Sequence, residues 1–230
     1  MNIQKVYHDL RYNIYSMKWI DTLIEYLFPP HCAGCKKTGY ELCQECTEHV
    51  RNSFPRTLPH IYVGFSYQDP VVKHTLKALK FKKRKKLAEI IGELLYERTI
   101  EDISDQHAFS LKKEILPIPI PLSKKRFNER GFNQSELIAR SFASRDPLFT
   151  LHTRILIRTR HTKPQSSIHL KRERLENIHG VFSVSNKISL KGKTIILIDD
   201  IVTTGATMKE AEKTLKSKGA RKVFLLAVAH

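Results

Sequence analysis

Residues 193–207 read Lys193-Thr194-Ile195-Ile196-Leu197-Ile198-Asp199-Asp200-Ile201-Val202-Thr203-Thr204-Gly205-Ala206-Thr207. The stretch up to Ile198 is β-branched and Leu without polar alternation, the pattern of a parallel strand buried on both faces. Two adjacent carboxylates stand at its carboxyl end, and a short turn rich in hydroxyls follows. A helical pattern then runs from Thr207 to Lys218, with Gly219 placed to end it, and Val223 to Ala229 forms a second buried strand. Strand, helix and strand at this spacing make a βαβ unit, so an α/β fold with a largely parallel sheet is predicted.

The same order of residues carries a chemical expectation. Ligands of open α/β sheets bind outside the carboxyl ends of the strands. Backbone N–H groups of Thr203, Thr204, Gly205, Ala206 and Thr207, at the start of a helix, can cradle a phosphate. Asp199 and Asp200 suit ribose hydroxyls, or a divalent cation that in turn holds pyrophosphate. Together these features describe a phosphorylated ribose as the ligand class. A plain helix cap or a plain turn accounts for each part alone but not for their sequence behind a buried strand. A nucleotide P-loop is excluded, because the glycine it needs ahead of Gly192-Lys193-Thr194 falls at Lys187. No G-x-G-x-x-G dinucleotide fingerprint occurs anywhere in the chain.

Working outward, Ile115 to Ile120 reads as a short apolar strand interrupted by prolines, Ser123 to Asn133 as a polar, basic loop, and Ser135 to Ala143 as a helix. Ile155 to Ile157 is brief and apolar. Ile61 to Tyr67 looks like a strand, helical patterns cover Asp69 to Leu79 and Leu87 to Arg98, and 101–113 reads as a polar connection. At the N-terminus Leu10, Ile14, Met17, Ile20, Ile24 and Leu27 recur at helical spacing, which predicts an amphipathic helix stopped by Pro29 and Pro30. The expected division is 1–30 as this helical extension, 31–55 as a cysteine module and 60–230 as the α/β domain.

All four cysteines, Cys32, Cys35, Cys43 and Cys46, lie within this module in the spacing C-x2-C-x7-C-x2-C. Two such knuckles aim four thiolates at one tetrahedral centre, the arrangement of a structural zinc site with no open position for catalysis. Gly34 and Gly39 are expected where the turns require a positive φ. Two disulfides are the rival reading and suit an exported domain. No apolar signal core or membrane-length apolar run is evident, so a soluble intracellular chain is expected.

The chain has 230 residues, with 40 Lys and Arg against 23 Asp and Glu, a net charge of +17. Its ordinary apolar content and its 9 Gly and 10 Pro exclude global disorder and collagen-like repetition. The surplus favours polyanionic partners. It is concentrated at Lys80, Lys82, Lys83, Arg84, Lys85 and Lys86, again at Lys124, Lys125, Arg126 and Arg130, and at Arg154, Arg158, Arg160, Lys163, Lys171, Arg172 and Arg174. Phe81, Phe127 and Phe132 interleave with these charges and are candidates for stacking on bases, although such aromatics are more often core or loop anchors.

With these motifs in place, Ile196 to Thr207 resembles the phosphoribosyl pyrophosphate motif of type I phosphoribosyltransferases. Further segments resemble the ComF family: the cysteine knuckles after Phe28-Pro29-Pro30, Leu76 to Phe81, Pro117 to Ser123, Arg130-Gly131-Phe132-Asn133-Gln134, and a block with Arg158, Gln165, Arg172, Asn177, Gly180 and Phe182. The likeness spans roughly residues 20 to 230 and leaves about the first 18 outside the pattern. It implies a type I phosphoribosyltransferase-like domain behind an N-terminal zinc finger. It also implies that residues 203–207 hold a 5-phosphate, that Asp199 and Asp200 face ribose hydroxyls directly or through magnesium, and that Lys80, Arg126 and Arg130 stand at the pyrophosphate end. Asn133 and Gln134 are alternatively helix caps.

The family is associated with single-stranded DNA in natural transformation. The implied role is therefore a cytoplasmic DNA-binding factor, extending to the membrane's cytoplasmic face and the DNA-uptake machinery at the inner membrane, with Lys82 to Lys86 contacting DNA. The alternative is a phosphoribosyltransferase using phosphoribosyl pyrophosphate and magnesium with an unidentified acceptor. No residues that read a base edge are evident, and the catalytic residues are unassigned.

Overall fold

The computed structural model describes residues 29–55, 58–105, 114–159, 180–185 and 188–230. The expected N-terminal helix therefore lies outside the described residues, as do Arg160, Lys163, Gln165, Lys171, Arg172, Arg174 and Asn177.

In chain order the elements are α1 (Gln44–Arg51), β1 (Tyr62–Phe65), α2 (Pro70–Phe81), α3 (Leu87–Asp105), β2 (Ile115–Pro119), α4 (Lys124–Arg130), α5 (Gln134–Ala143), β3 (Leu156–Arg158), β4 (Phe182–Val184), β5 (Thr194–Ile201), α6 (Ala206–Ser217) and β6 (Lys222–Ala229). Strands β1, β6, β5 and β2 form one parallel sheet in that order. Strands β3 and β4 pair antiparallel as a separate ribbon.

Successive side chains on a strand point to opposite faces, and the two central strands use this fully. Ile196, Ile198, Phe224, Leu226 and Val228 enter one core with α2, α3 and α5. Ile195, Leu197, Val223, Leu225 and Ala227 enter the other, covered by Met208, Ala211 and Leu215 of α6 and by Leu156 and Phe182 of the ribbon. The cysteine segment shares the first core through Cys32, Ala33, Leu42, Cys43, Cys46 and Val50. Pro117 and Pro119 are tolerated because β2 closes its side of the sheet. On its outer side the carbonyls of Ile115 and Pro117 accept from Thr150 and His152.

Three expectations change. Residues 124–130 are helical rather than loop. Ser123 caps the helix by accepting from the Arg126 N–H, and Gly131 ends it at φ 80°. Helix α3 continues through 101–105, because Ile103 is fully buried. Gly34 is not at positive φ, whereas Lys36 is, at 71°. Gly34 is needed for space instead, since a Cβ there meets Cys46 Sγ at 2.6 Å and Val71 Cγ1 at 2.9 Å.

Candidate functional site: an acidic pair ringed by cations

The carboxyl end of β5 delivers Asp199 and Asp200, and residues 202–205 then turn into α6. Gly205 caps that helix at φ 75°, and a Cβ there meets Ile61 Cδ1 at 2.6 Å, so position 205 excludes a side chain on two grounds. Thr203 and Thr204 are exposed. Thr204 Oγ1 accepts from the Ala206 N–H at 3.4 Å.

The two carboxylates are held by different partners. Asp199 Oδ1 accepts from Ser135 Oγ and from the Asp200 N–H, each at 2.9 Å. Asp200 is 5 % exposed. Its Oδ1 accepts from the Ile201 N–H at 2.6 Å, and its Oδ2 faces the Lys80 ammonium at 2.6 Å. Burial, followed by the neighbouring Asp200 charge, lifts the Asp199 carboxyl to about 7, against the downward pull of the Asp200 N–H, Ser135 and Lys80.

Further cations complete the ring. Burial lowers the pKa of the Arg130 guanidinium, while the charges of Asp200 and Asp199 oppose the shift. Burial also lowers that of Arg158, with Arg126 pushing the same way and Asp199 opposing. Lys80 of α2 thus pairs directly with Asp200, and Arg130 of α4 and Arg158 of β3 interact electrostatically with the acidic pair, while the exposed Arg126 of α4 acts on those two guanidinium groups. Such a cluster can bind a multiply charged phosphate ester while the carboxylates accept from sugar hydroxyls.

Asp200 Oδ2 is paired with the Lys80 ammonium, so magnesium ligated directly by Asp200 would require that pair to open first.

Asn133 caps α5 by accepting from the Ser135 N–H, and donates to the Ile120 carbonyl at 3.0 Å. Gln134 is instead buried, and its Oε1 has no hydrogen-bond partner among the described residues. Phe132 is buried at 7 % exposure under the Lys85 ammonium, so it is a loop anchor rather than a stacking platform. Phe81 and Phe127 remain exposed. Of the basic run, Lys82, Lys83, Lys85 and Lys86 are exposed. Arg84 faces the other way and ties Glu41 of the cysteine segment, with Nε 2.7 Å from Oε2 and NH2 3.0 Å from its carbonyl. Ser135 was missed from sequence. Its only signal was the Asn cap that fixes the first turn of α5.

The four cysteine sulfurs lie within 4.8 Å of one another, and all four thiols are free. The backbone runs back through a His31–Thr38 bridge, and Cys46 rides on the first turn of α1. Burial pushes the Cys32 thiol up, but the N–H groups of Cys43, Cys35 and Gly34 outweigh it and hold the thiol at about 6. Burial raises the pKa of Cys46. A closed set of four soft sulfur donors fits a structural metal.

A family model described as "Phosphoribosyl transferase domain" matches residues 131–230, the segment that runs from α5 through the acidic pair to the C-terminus. Competence protein ComFC of Bacillus subtilis is 36 % identical over 197 residues, 83 % of this chain and 72 % of that protein. Competence protein F of Haemophilus influenzae is 26 % identical over 201 residues, covering 87 % and 84 %. DNA utilization protein YhgH of Escherichia coli is 27 % identical over 210 residues, covering 84 % and 85 %. The four-cysteine cluster, the phosphoribosyltransferase-type sheet and this similarity along most of both chains agree, and the chain belongs to the ComF family of competence proteins.

Proposed function

We propose that this protein binds phosphoribosyl-type ligands at the mouth formed by Asp199, Asp200 and residues 203–207, and that it acts on single-stranded DNA during DNA uptake. The observation that carries the reading is the junction itself: an acidic pair at the end of a buried strand, a helix N-terminus immediately beyond it, and Lys80, Arg130 and Arg158 interacting with the acidic pair. In this reading the α6 N-terminus and the Thr203 and Thr204 hydroxyls take the phosphate. Asp199 and Asp200 take the ribose hydroxyls, and Arg126, Arg130 and Arg158 meet the remaining phosphate charge. Lys80 leaves Asp200 as the sugar arrives and turns to the phosphates.

The names of the relatives above, together with the charge of +17, support a DNA-handling role. In that role Lys82, Lys83, Lys85 and Lys86 meet the strand's phosphates. The cysteine cluster takes zinc and stabilises the segment packed on α2. No helix among the described residues is long and apolar enough to cross a membrane, and action at the cytoplasmic face of the uptake machinery is part of the proposal.

Calorimetry with phosphoribosyl pyrophosphate, with and without magnesium, tests the site. Saturable binding that Asp200→Ala weakens at least tenfold supports it, and no heat under either condition removes it. A second reading, a transferase with an unidentified acceptor, is favoured by the match to the phosphoribosyltransferase family model. It requires pyrophosphate release in the presence of an acceptor.

A further inference from the structure

Lys80 reaches Asp200 from the last turn of α2, and the chain just beyond that turn is tied to the cysteine segment. The Arg84 guanidinium forks onto Glu41, with Nε 2.7 Å from Oε2 and NH2 donating to the backbone carbonyl at 3.0 Å. That same carbonyl accepts from the N–H of Ala33, inside the first knuckle, at 2.9 Å. The backbone of Arg84 meanwhile forms the corner between two helices. Its N–H donates to the Ala78 carbonyl of α2 at 3.4 Å, and its carbonyl accepts at 3.2 Å from the N–H of Leu87, which begins α3. Just before it, Lys83 lies at φ 54°, a left-handed conformation that a residue with a side chain adopts only at a cost. The corner therefore depends on an anchor, and Arg84 supplies it. Isolated ion pairs at a surface contribute little. In this one both side chains are only 21 % exposed, and a second bond reaches a carbonyl that is itself held, a geometry that an arginine fork provides and a lysine does not.

We propose that Glu41 and Arg84 are positioning residues for Lys80, so that the cysteine segment sets the reach of that ammonium into the phosphoribosyl site. Neither residue touches the ligand. Their effect passes through the last turn of α2: with the fork broken the turn frays, and Lys80 loses the geometry in which it pairs with Asp200 and meets the incoming phosphate. This inference rests on the phosphoribosyl reading above. It takes Arg84 out of the basic run as a ligand contact and gives the cysteine segment a task at the mouth of the sheet.

Calorimetry on the full chain with phosphoribosyl pyrophosphate tests it. The proteins are wild type, Arg84→Lys, Glu41→Ala, Lys80→Met, and the double variants that join Lys80→Met to each of the first two. Arg84→Lys keeps the charge but not the fork, and Glu41→Ala makes the chain more cationic. A purely electrostatic role gives unchanged affinity in the first and tighter binding in the second. The positioning role gives binding that is roughly three- to tenfold weaker in each. In the Lys80→Met background the same changes are expected to cost less than about twofold, because the residue they act through is gone. Unchanged or tighter binding by either single variant, or equal losses with and without Lys80, overturns the positioning role and leaves the phosphoribosyl site standing. Absence of binding by wild type overturns both. Thermal melting checks that each variant is folded at the assay temperature, and where one single variant is not, the other decides. Where Lys80→Met binds too weakly to compare, the coupling between Lys80 and Asp200 in urea titrations is read instead. It is expected to shrink in the Arg84→Lys background, and an unchanged coupling overturns the role.

Discussion

The Lys80 ammonium lies 2.6 Å from Asp200 Oδ2, with the two side chains only 11 % and 8 % exposed. This pair ties the last turn of α2 to the carboxyl end of β5 and sets the charge of the mouth. Leaving one member of such a pair buried alone is strongly unfavourable, by ~3–5 kcal/mol. Lys80→Met is therefore expected to lower unfolding stability by about 2–4 kcal/mol, and the double variant Lys80→Met with Asp200→Asn to recover part of the loss. Urea titration of the four-membered cycle measures it. Additive losses show that the pair is not coupled.

The Asp199 carboxyl sits at about 7, above its ordinary 3.8, because burial and the Asp200 charge oppose ionisation. Between those values the folded chain keeps a proton that the unfolded chain has released. This group's contribution is thus full below pH 4 and is lost as pH rises toward 7 and above. Relative to Asp199→Asn, wild-type stability is expected to fall between pH 4 and pH 8, by on the order of 1–2 kcal/mol. Denaturant titrations of both proteins across that range measure the difference, and parallel curves contradict the shift.

A methyl group at Gly34 meets Cys46 Sγ at 2.6 Å and Val71 at 2.9 Å. Gly34→Ala is expected to displace the fourth sulfur and to weaken metal binding by at least tenfold, without removing a ligand. Metal analysis of the wild type should find about one zinc per chain. Competition with a chelator then ranks the variants, with Cys→Ser at any of the four positions weaker still.

Gly92 lets α3 approach α5. A Cβ there falls 2.5 Å from Ser141 Cβ and 2.7 Å from the Ile138 carbonyl, and Ser141 donates to the Glu89 carbonyl across the same contact. Although alanine is the better helix former, overpacking costs about 1–3 kcal/mol. Gly92→Ala is therefore expected to lower the thermal midpoint, which calorimetric melting reads directly.

Single-stranded DNA binding is expected to weaken with salt, with a log–log slope that falls by roughly one to three when Lys82, Lys83, Lys85 and Lys86 are all changed to Ala. Arg84→Ala is expected to leave the slope unchanged while loosening the contact with Glu41. Fluorescence anisotropy at four salt concentrations distinguishes the two. Equal slopes for wild type and the quadruple variant remove this surface from the DNA path.

Some of the architecture was legible because it is written in local order. An unbroken apolar run announced β5 as a doubly buried strand, and the helical pattern from Asp69 to Leu79 announced α2. The surface helix α4 was hidden because it buries no apolar side chain, leaving no apolar periodicity to read. Ribbon strand β4 spans three residues, too few to show a period.

By itself, the amino-acid sequence determined that an acidic pair, a hydroxyl-lined turn and a helix succeed a buried strand, and that four sulfurs share one short segment. Both follow from neighbours along the chain, where backbone geometry alone fixes what lies next to what. Only the tertiary structure decided that Lys80 faces Asp200, that Ser135 holds Asp199, that Arg84 turns to Glu41, and that Phe81 stays open while Phe132 is buried. Those choices depend on how helices pack on a sheet, and packing joins residues that are far apart in the chain and carry no shared local signal.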